Sequence, residues 1–248
     1  MSGHSKWSTI KRKKGALDAK RGKLFTKLIK EISIAVKEGG SGDPLNNPRL
    51  RIAIQNAKGA NMPKDNIERT IKKAAGADAS RYEESNYEGY ATHGVAIFVE
   101  CLTDNLNRTV SAVRAIFNKY GGSLGTKGSL EFIFDRKGVF TFQIPENFKE
   151  DEFELAIIDA GAEDIEIADN YIHVTTPKDD FGKVNKKMEE LGIETETAEL
   201  QRIPKTTVTL SNEALTQVMK FIEAIEDNDD VQKVYHNIEI KESQMELV

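Results

Sequence analysis

The chain has 248 residues, with 35 Lys+Arg against 40 Asp+Glu and 39% hydrophobic residues. That much apolar material builds real cores, so wholesale disorder is excluded, and the length suggests two or three domains. The longest apolar run, Gly94 to Leu102, has the length of a strand and falls far short of the roughly 20 residues that a membrane-spanning helix needs.

Residues 1–18 read as extended or weakly helical. Over residues 19–36, Leu24, Phe25, Leu28, Ile29, Ile32, Ala35 and Val36 recur at steps of three and four. That spacing predicts an amphipathic helix whose other face carries Lys20, Lys23, Lys27 and Lys30. The glycine-rich stretch up to Pro44 ends it. A second helix is expected over 48–60, with Leu50, Ile54 and Ala57 inward and Arg49, Arg51 and Lys58 outward. A third begins near Pro63, buries Ile67, Ile71 and Ala74, and stops at Gly76. Residues 77–80 form a candidate linker.

The body alternates strands and helices. Residues 82–90 and 95–103 read as paired strands joined at Thr92-His93-Gly94. Residues 105–120 read as a helix with Val110, Val113, Ile116 and Phe117 inward. Gly121-Gly122 ends that helix, and 129–134 reads as a further strand. A compact unit follows: strand 139–144, helix 151–160, strands 165–168 and 171–175, helix 181–191, strand 195–201. The order is βαββαβ, the ferredoxin-like pattern. After Pro204 come strand 206–210, helix 212–227 and strand 231–238, which lack a first half that 82–134 can supply. The expected fold is therefore α+β: an N-terminal three-helix domain followed by two ferredoxin-like α/β domains, one inserted in the other. The boundaries are 1–80 for the basic helical head, 81–135 plus 204–248 for the middle domain, and 136–203 for the inserted βαββαβ domain.

The net charge of -5 conceals an asymmetry. Up to Ala75 there are 18 Lys+Arg and 6 Asp+Glu; beyond it there are 17 and 34. Ten of the cations fall in the first 30 residues, against the single acid Asp18. Such a head repels itself, and an acidic partner relieves the repulsion. Phosphate backbones are the commonest such partner, since each neutralised phosphate releases counterion. An anionic membrane is the rival partner, but the head has only Trp7 and Phe25 as bulky interfacial aromatics, so no membrane contact is expected. The acidic remainder repels nucleic acid and confines contact to the head. The expected contact residues are Lys6, Trp7, Lys11, Arg12, Lys13, Lys14, Lys20, Arg21, Lys23, Lys27, Arg49, Arg51 and Lys58. Trp7 either stacks on a base or anchors the arm to the bundle.

Little else carries chemistry. The only cysteine, Cys101, reads as a small buried hydrophobe and fits a reducing compartment. The N-terminus lacks an apolar h-region; it is basic and acid-poor like a mitochondrial presequence, but it leads straight into a helix and reads as mature protein. None of His4, His93, His173 and His236 stands three or four residues from another. The glycine-rich run 121–128 follows a helix, so it reads as a helix stop and not a phosphate cradle. The acidic run 226–230 lacks the glycine and distal glutamate of a calcium loop and reads as a solvated turn. Asp104 or Asn105 reads as a helix cap, with a functional surface at 103–109 left open. No catalytic residue, metal, cofactor or small-molecule substrate is expected, and oligomeric state is left open.

The opening Gly3-His4-Ser5-Lys6-Trp7, with Ile10-Lys11, Lys13-Lys14, Asp18, Arg21-Gly22-Lys23, Phe25 and Lys27-Leu28, resembles the signature of the YebC family. Asn61-Met62-Pro63, Asp65-Asn66-Ile67, Tyr87-Glu88-Gly89-Tyr90, Leu102-Thr103-Asp104-Asn105, Asn107-Arg108-Thr109 and Gly121-Gly122 match it further on. The resemblance covers essentially the whole chain. One departure is Ala91-Thr92-His93-Gly94, where the family usually has glycine and proline after the tyrosine. The resemblance implies three domains and a non-enzymatic cytoplasmic factor. The family is named as a probable DNA-binding transcriptional regulator, and other members look like translational activators acting on the ribosome. DNA and rRNA both fit the charge argument, because phosphate contacts do not distinguish them.

Overall fold

In a computed structural model of the chain, residues 17–76, 82–146, 148–168 and 170–247 are described, with side chains from residue 22 onward. In chain order the elements are helices α1 (Leu17–Gly39), α2 (Pro48–Gly59) and α3 (Lys64–Ala74), strands β1 (Glu83–Tyr90) and β2 (Ala96–Thr103), helix α4 (Leu106–Lys119), strands β3 (Ser123–Leu124) and β4 (Phe134–Gln143). There follow helix α5 (Glu150–Asp159), strands β5 (Asp164–Ala168) and β6 (Tyr171–Pro177), helix α6 (Phe181–Glu190), strands β7 (Thr197–Pro204) and β8 (Val208–Thr209), helix α7 (Asn212–Glu226), and strands β9 (Val231–His236) and β10 (Ile238–Glu239). The architecture is α+β, with a helical N-terminal region and antiparallel sheets. The chain divides into two compact units, Met1–Lys30 with Ser80–Asp135 and Ile203–Val248, and Glu31–Ala79 with Arg136–Arg202.

In the first unit the sheet order is β3-β1-β2-β9. Strands β1 and β2 pair antiparallel from Tyr90↔Ala96 to Glu83↔Thr103. The turn between them closes without proline: Ala91 N–H donates to Val95 O at 2.8 Å, and His93 takes a left-handed φ of 64°. Helices α4 and α7 cover one sheet face, where Phe117 meets Phe221 edge-on at 4.9 Å among Ile97, Val99, Cys101, Val113 and Val218. The other face of β2 packs Ala96 and Phe98 on Leu130, Ile133 and Phe134. A strand buried on both faces reads as a continuous apolar run, which is why 94–102 stands out in the sequence.

The second unit contains the ferredoxin-like sheet in the order β5-β6-β4-β7, its first and third strands central. Phe140 and Phe142 of β4 pack with Phe153 and Ile157 of α5 and Val184 and Met188 of α6. On the β7 side, the Asn56 carboxamide of α2 substitutes for a strand: its Nδ2 donates to Ala198 O at 3.0 Å and its Oδ1 accepts from Ala198 N–H at 2.8 Å. Gly59 allows this approach, since a Cβ there would lie 2.1 Å from Glu196 O.

Two sequence expectations need correction. Residues 129–134 are not a strand; β4 begins only at Phe134 and runs on through Gly138. The N–H groups of Gly128 and Leu130 both donate to the buried Glu88 carboxylate at 2.7 Å, so they are unavailable to a ladder. The strand expected at 206–210 shrinks to β8, which pairs parallel with β10 outside the main sheets.

Candidate nucleic-acid interface

Lys6, Trp7, Lys11, Arg12, Lys13 and Lys14 lie outside the described residues, as do the side chains of Lys20 and Arg21. The remaining expected contacts can be placed. On α1, Lys23, Lys27 and Lys30 follow one another at steps of four and three, which sets them on one helix face. That face meets the acidic turn between α7 and β9. Lys23 Nζ lies 2.6 Å from Asp227 Oδ1. Lys27 Nζ donates to the carbonyls of Glu226 and Gln232 at 3.5 and 3.4 Å. Lys30 Nζ donates to Asp229 O at 2.6 Å, Leu102 O at 3.3 Å and Asp230 Oδ1 at 3.2 Å, and sits 5.4 Å from the Tyr82 ring centroid.

The turn is therefore not simply solvated, and Lys30 does not face solvent. Asp230 is its buried hub. Arg108 Nη2 reaches both Asp230 carboxylate oxygens, at 3.0 and 2.8 Å, and Thr109 Oγ1 donates to Oδ2 at 2.8 Å. Burial alone would push the Asp230 carboxyl upward; the hydrogen bonds from Arg108, Thr109 and Lys30 outweigh it and hold the group below the usual carboxylate range. The 103–109 cluster thus acts as a clasp. Asn105, not Asp104, caps α4 by accepting from Arg108 N–H at 3.0 Å, while Asp104 pairs with Arg108 at 2.7 Å. A groove of about 670 Å³ opens over the clasp, but both of its cations, Lys30 and Arg108, are bound to Asp230.

On α2, Arg49 pairs with Glu38 and Arg51 lies 3.8 Å from Glu189. Lys58 is exposed and forms no ion pair among the described residues. Sequence reading missed the Asp230 hub. No local signal marks Lys30 for burial, because the carboxylate that receives it lies two hundred residues on.

Cys101 and His236 are both buried. Burial pushes the Cys101 thiol up to about 12 and His236 down to about 4, so both are neutral at pH 7. Glycine-run amides are engaged: Gly121, at φ +76°, and Gly122 close the end of α4 by donating to Asn118 O and Phe117 O, and Gly128 is held by Glu88. Among the described residues no group of three His, Cys, Asp or Glu is placed to hold a metal, and no helix is long and apolar enough to cross a membrane.

The model of the TACO1/YebC N-terminal domain matches residues 5–77, and that of the TACO1/YebC second and third domains matches residues 82–238. The chain belongs to the TACO1/YebC family. This TACO1/YebC chain is 56% identical over 240 residues to a probable transcriptional regulatory protein of Amoebophilus asiaticus, covering 96% of this chain and 98% of that one. It is 53% identical to a protein of the same description from Geotalea uraniireducens, covering 99% of each. The crystal structure of a conserved hypothetical protein from Aquifex aeolicus superposes with a TM-score of 0.81 at 43% identity, over 94% of this chain and 96% of that one. The family resemblance read from the opening motif is thereby established, and the relatives' name supports a regulatory role.

Proposed function

We propose that this TACO1/YebC protein is a non-enzymatic cytoplasmic regulator that binds duplex DNA through sugar-phosphate contacts made by its N-terminal cations. The observation that carries the reading is the charge of the head, ten cations against one acid in the first 30 residues. The relatives' name makes DNA the first partner to test. The contact rests on Lys6, Trp7, Lys11, Arg12, Lys13, Lys14, Lys20 and Arg21, with Lys23, Lys27, Arg49, Arg51 and Lys58 at its margin. The division of labour is a head over 1–80, a middle domain of 81–135 plus 204–248 and an insert at 136–203, the last two acidic and held off the phosphates. Phosphate gripping of this kind positions a protein without reading bases.

The test is the salt dependence of binding to a 20-base-pair duplex by the full chain. A steep fall of log affinity with log salt is expected, about 0.9 per phosphate contacted. Changing Lys11, Arg12, Lys13 and Lys14 together to Ala flattens the slope; an unchanged slope overturns the reading. Co-sedimentation with ribosomes that survives DNase and is lost with the same four substitutions would move the partner from DNA to rRNA.

A further inference from the structure

Two helices of the second unit carry three cations at the same i, i+3, i+4 spacing. On α6 these are Lys183, Lys186 and Lys187; on α3 they are Arg69, Lys72 and Lys73. Their surroundings differ. Lys183 lies 2.6 Å from Asp180, and Lys186 and Lys187 lie 3.8 and 2.8 Å from the two carboxylate oxygens of Glu190. Every α6 lysine thus has a carboxylate of its own helix or of the turn before it within ion-pair distance, with Glu190 shared by two of them.

On α3 all three cations are exposed and none forms an ion pair among the described residues. Asp65 and Glu68 stand four residues ahead of Arg69 and Lys72, within reach in principle. Glu68 turns instead to Lys64, at 3.5 Å. The opposite side of α3 buries Ile67, Thr70 and Ala74, so the helix cannot rotate its cations away from solvent. Cations in a last turn also favour the helix dipole, which accounts for Lys72 and Lys73 but not for Arg69 a turn earlier. Three like charges within one turn repel one another, and α6 shows how the same chain relieves that repulsion when it does so internally.

We infer that Arg69, Lys72 and Lys73 form a second phosphate-binding face, fixed on a folded helix and separate from the N-terminal arm, whose ligand is the phosphodiester backbone of nucleic acid. This rests on the nucleic-acid reading above and adds residues that the sequence analysis left out. Three cations held on one face engage two or three phosphates without ordering a flexible segment, so the loss of conformational freedom on binding is small.

The experiment measures binding of the full chain to a labelled 20-base-pair DNA duplex and to an RNA hairpin across a salt series. In the R69A/K72A/K73A variant the log–log salt slope falls by about 2 to 3, with affinity about ten-fold or more weaker near 0.1 M salt. The charge-preserving R69K/K72R/K73R variant keeps the wild-type slope. The matched K183A/K186A/K187A variant leaves slope and affinity unchanged. A loss confined to the duplex or to the hairpin says which nucleic acid supplies the phosphates. Circular dichroism of each variant checks that α3 remains folded. If the wild type binds with a steep slope and R69A/K72A/K73A binds identically to both probes, the second face is refuted while the arm reading stands. If the wild type shows no salt-dependent binding to either probe, both readings fall together.

Discussion

The Lys30 ammonium and the Asp230 carboxylate lie 3.2 Å apart with 9% and 8% of their side chains exposed. Two hundred residues separate them in the chain. The same carboxylate takes Arg108 and Thr109 from α4, so one acid ties α1 to the end of β2 and the start of α4. A buried ion pair stabilises little compared with a good apolar contact, because desolvation offsets attraction; its removal on one side is what costs.

Asp230→Ala should therefore be among the most damaging single substitutions in this unit, at about 3–5 kcal/mol, because Lys30 is left buried without its carboxylate. Lys30→Met, which removes the charge and keeps the volume, should cost clearly less than Asp230→Ala. Urea unfolding followed by far-UV circular dichroism measures both. Equal costs for the two would mean that packing, not the stranded charge, sets the penalty.

The contrast between Lys27 and Lys30 shows what the sequence made legible. Helical period placed both on the polar side of α1, and the head's cation excess was countable. Which lysine is buried is decided by a turn two hundred residues on, and no local pattern carries that. The βαββαβ unit was legible because each element announces itself by its own apolar spacing and its boundaries by glycine or proline. The 129–134 segment misled for the opposite reason. Its Leu130, Ile133 and Phe134 are indeed buried, but Glu88, forty residues earlier, takes the amides that a strand would need.

Glu88 gives a second prediction. Its carboxylate is buried and accepts two backbone N–H groups of the loop, bonds of the stronger, charge-assisted kind. Glu88→Ala should cost about 3 kcal/mol and raise hydrogen exchange at the amides of Gly128 and Leu130. Glu88→Gln keeps one acceptor oxygen and should fall between. Unchanged exchange at both amides in Glu88→Ala would show that the loop holds itself.

At Gly59 the sign of a common substitution should reverse. Glycine to alanine near the end of an exposed helix ordinarily gains up to about 1 kcal/mol. Here the new Cβ would stand 2.1 Å from Glu196 O and 2.7 Å from its Cα, both backbone atoms that cannot swing aside. Gly59→Ala should destabilise the second unit by about 1–3 kcal/mol by forcing α2 off β7 and stretching the Asn56–Ala198 bonds. Thermal unfolding reads the sign, and a raised midpoint would contradict the close approach.

His236 sets a pH window. It is buried, and burial holds its folded pKa near 4, against about 6.5 when unfolded. The unfolded chain therefore binds the extra proton between those values. The stability this group contributes is complete above pH 6.5 and declines by about 1.4 kcal/mol per unit as pH falls toward 4. Asp230, whose carboxyl is depressed, acts in the same direction but lower: its contribution is present above about pH 4 and is lost as pH falls through its folded value. The two are separable because their windows barely overlap. His236→Gln should be less stable than wild type at pH 7, because a smaller, flexible amide replaces a well-packed ring, yet lose less on acidification from pH 6.5 to 5. Hydrogen exchange of the β2 and β9 amides across that interval measures the slope directly. A wild-type slope that persists in His236→Gln would assign it to another group.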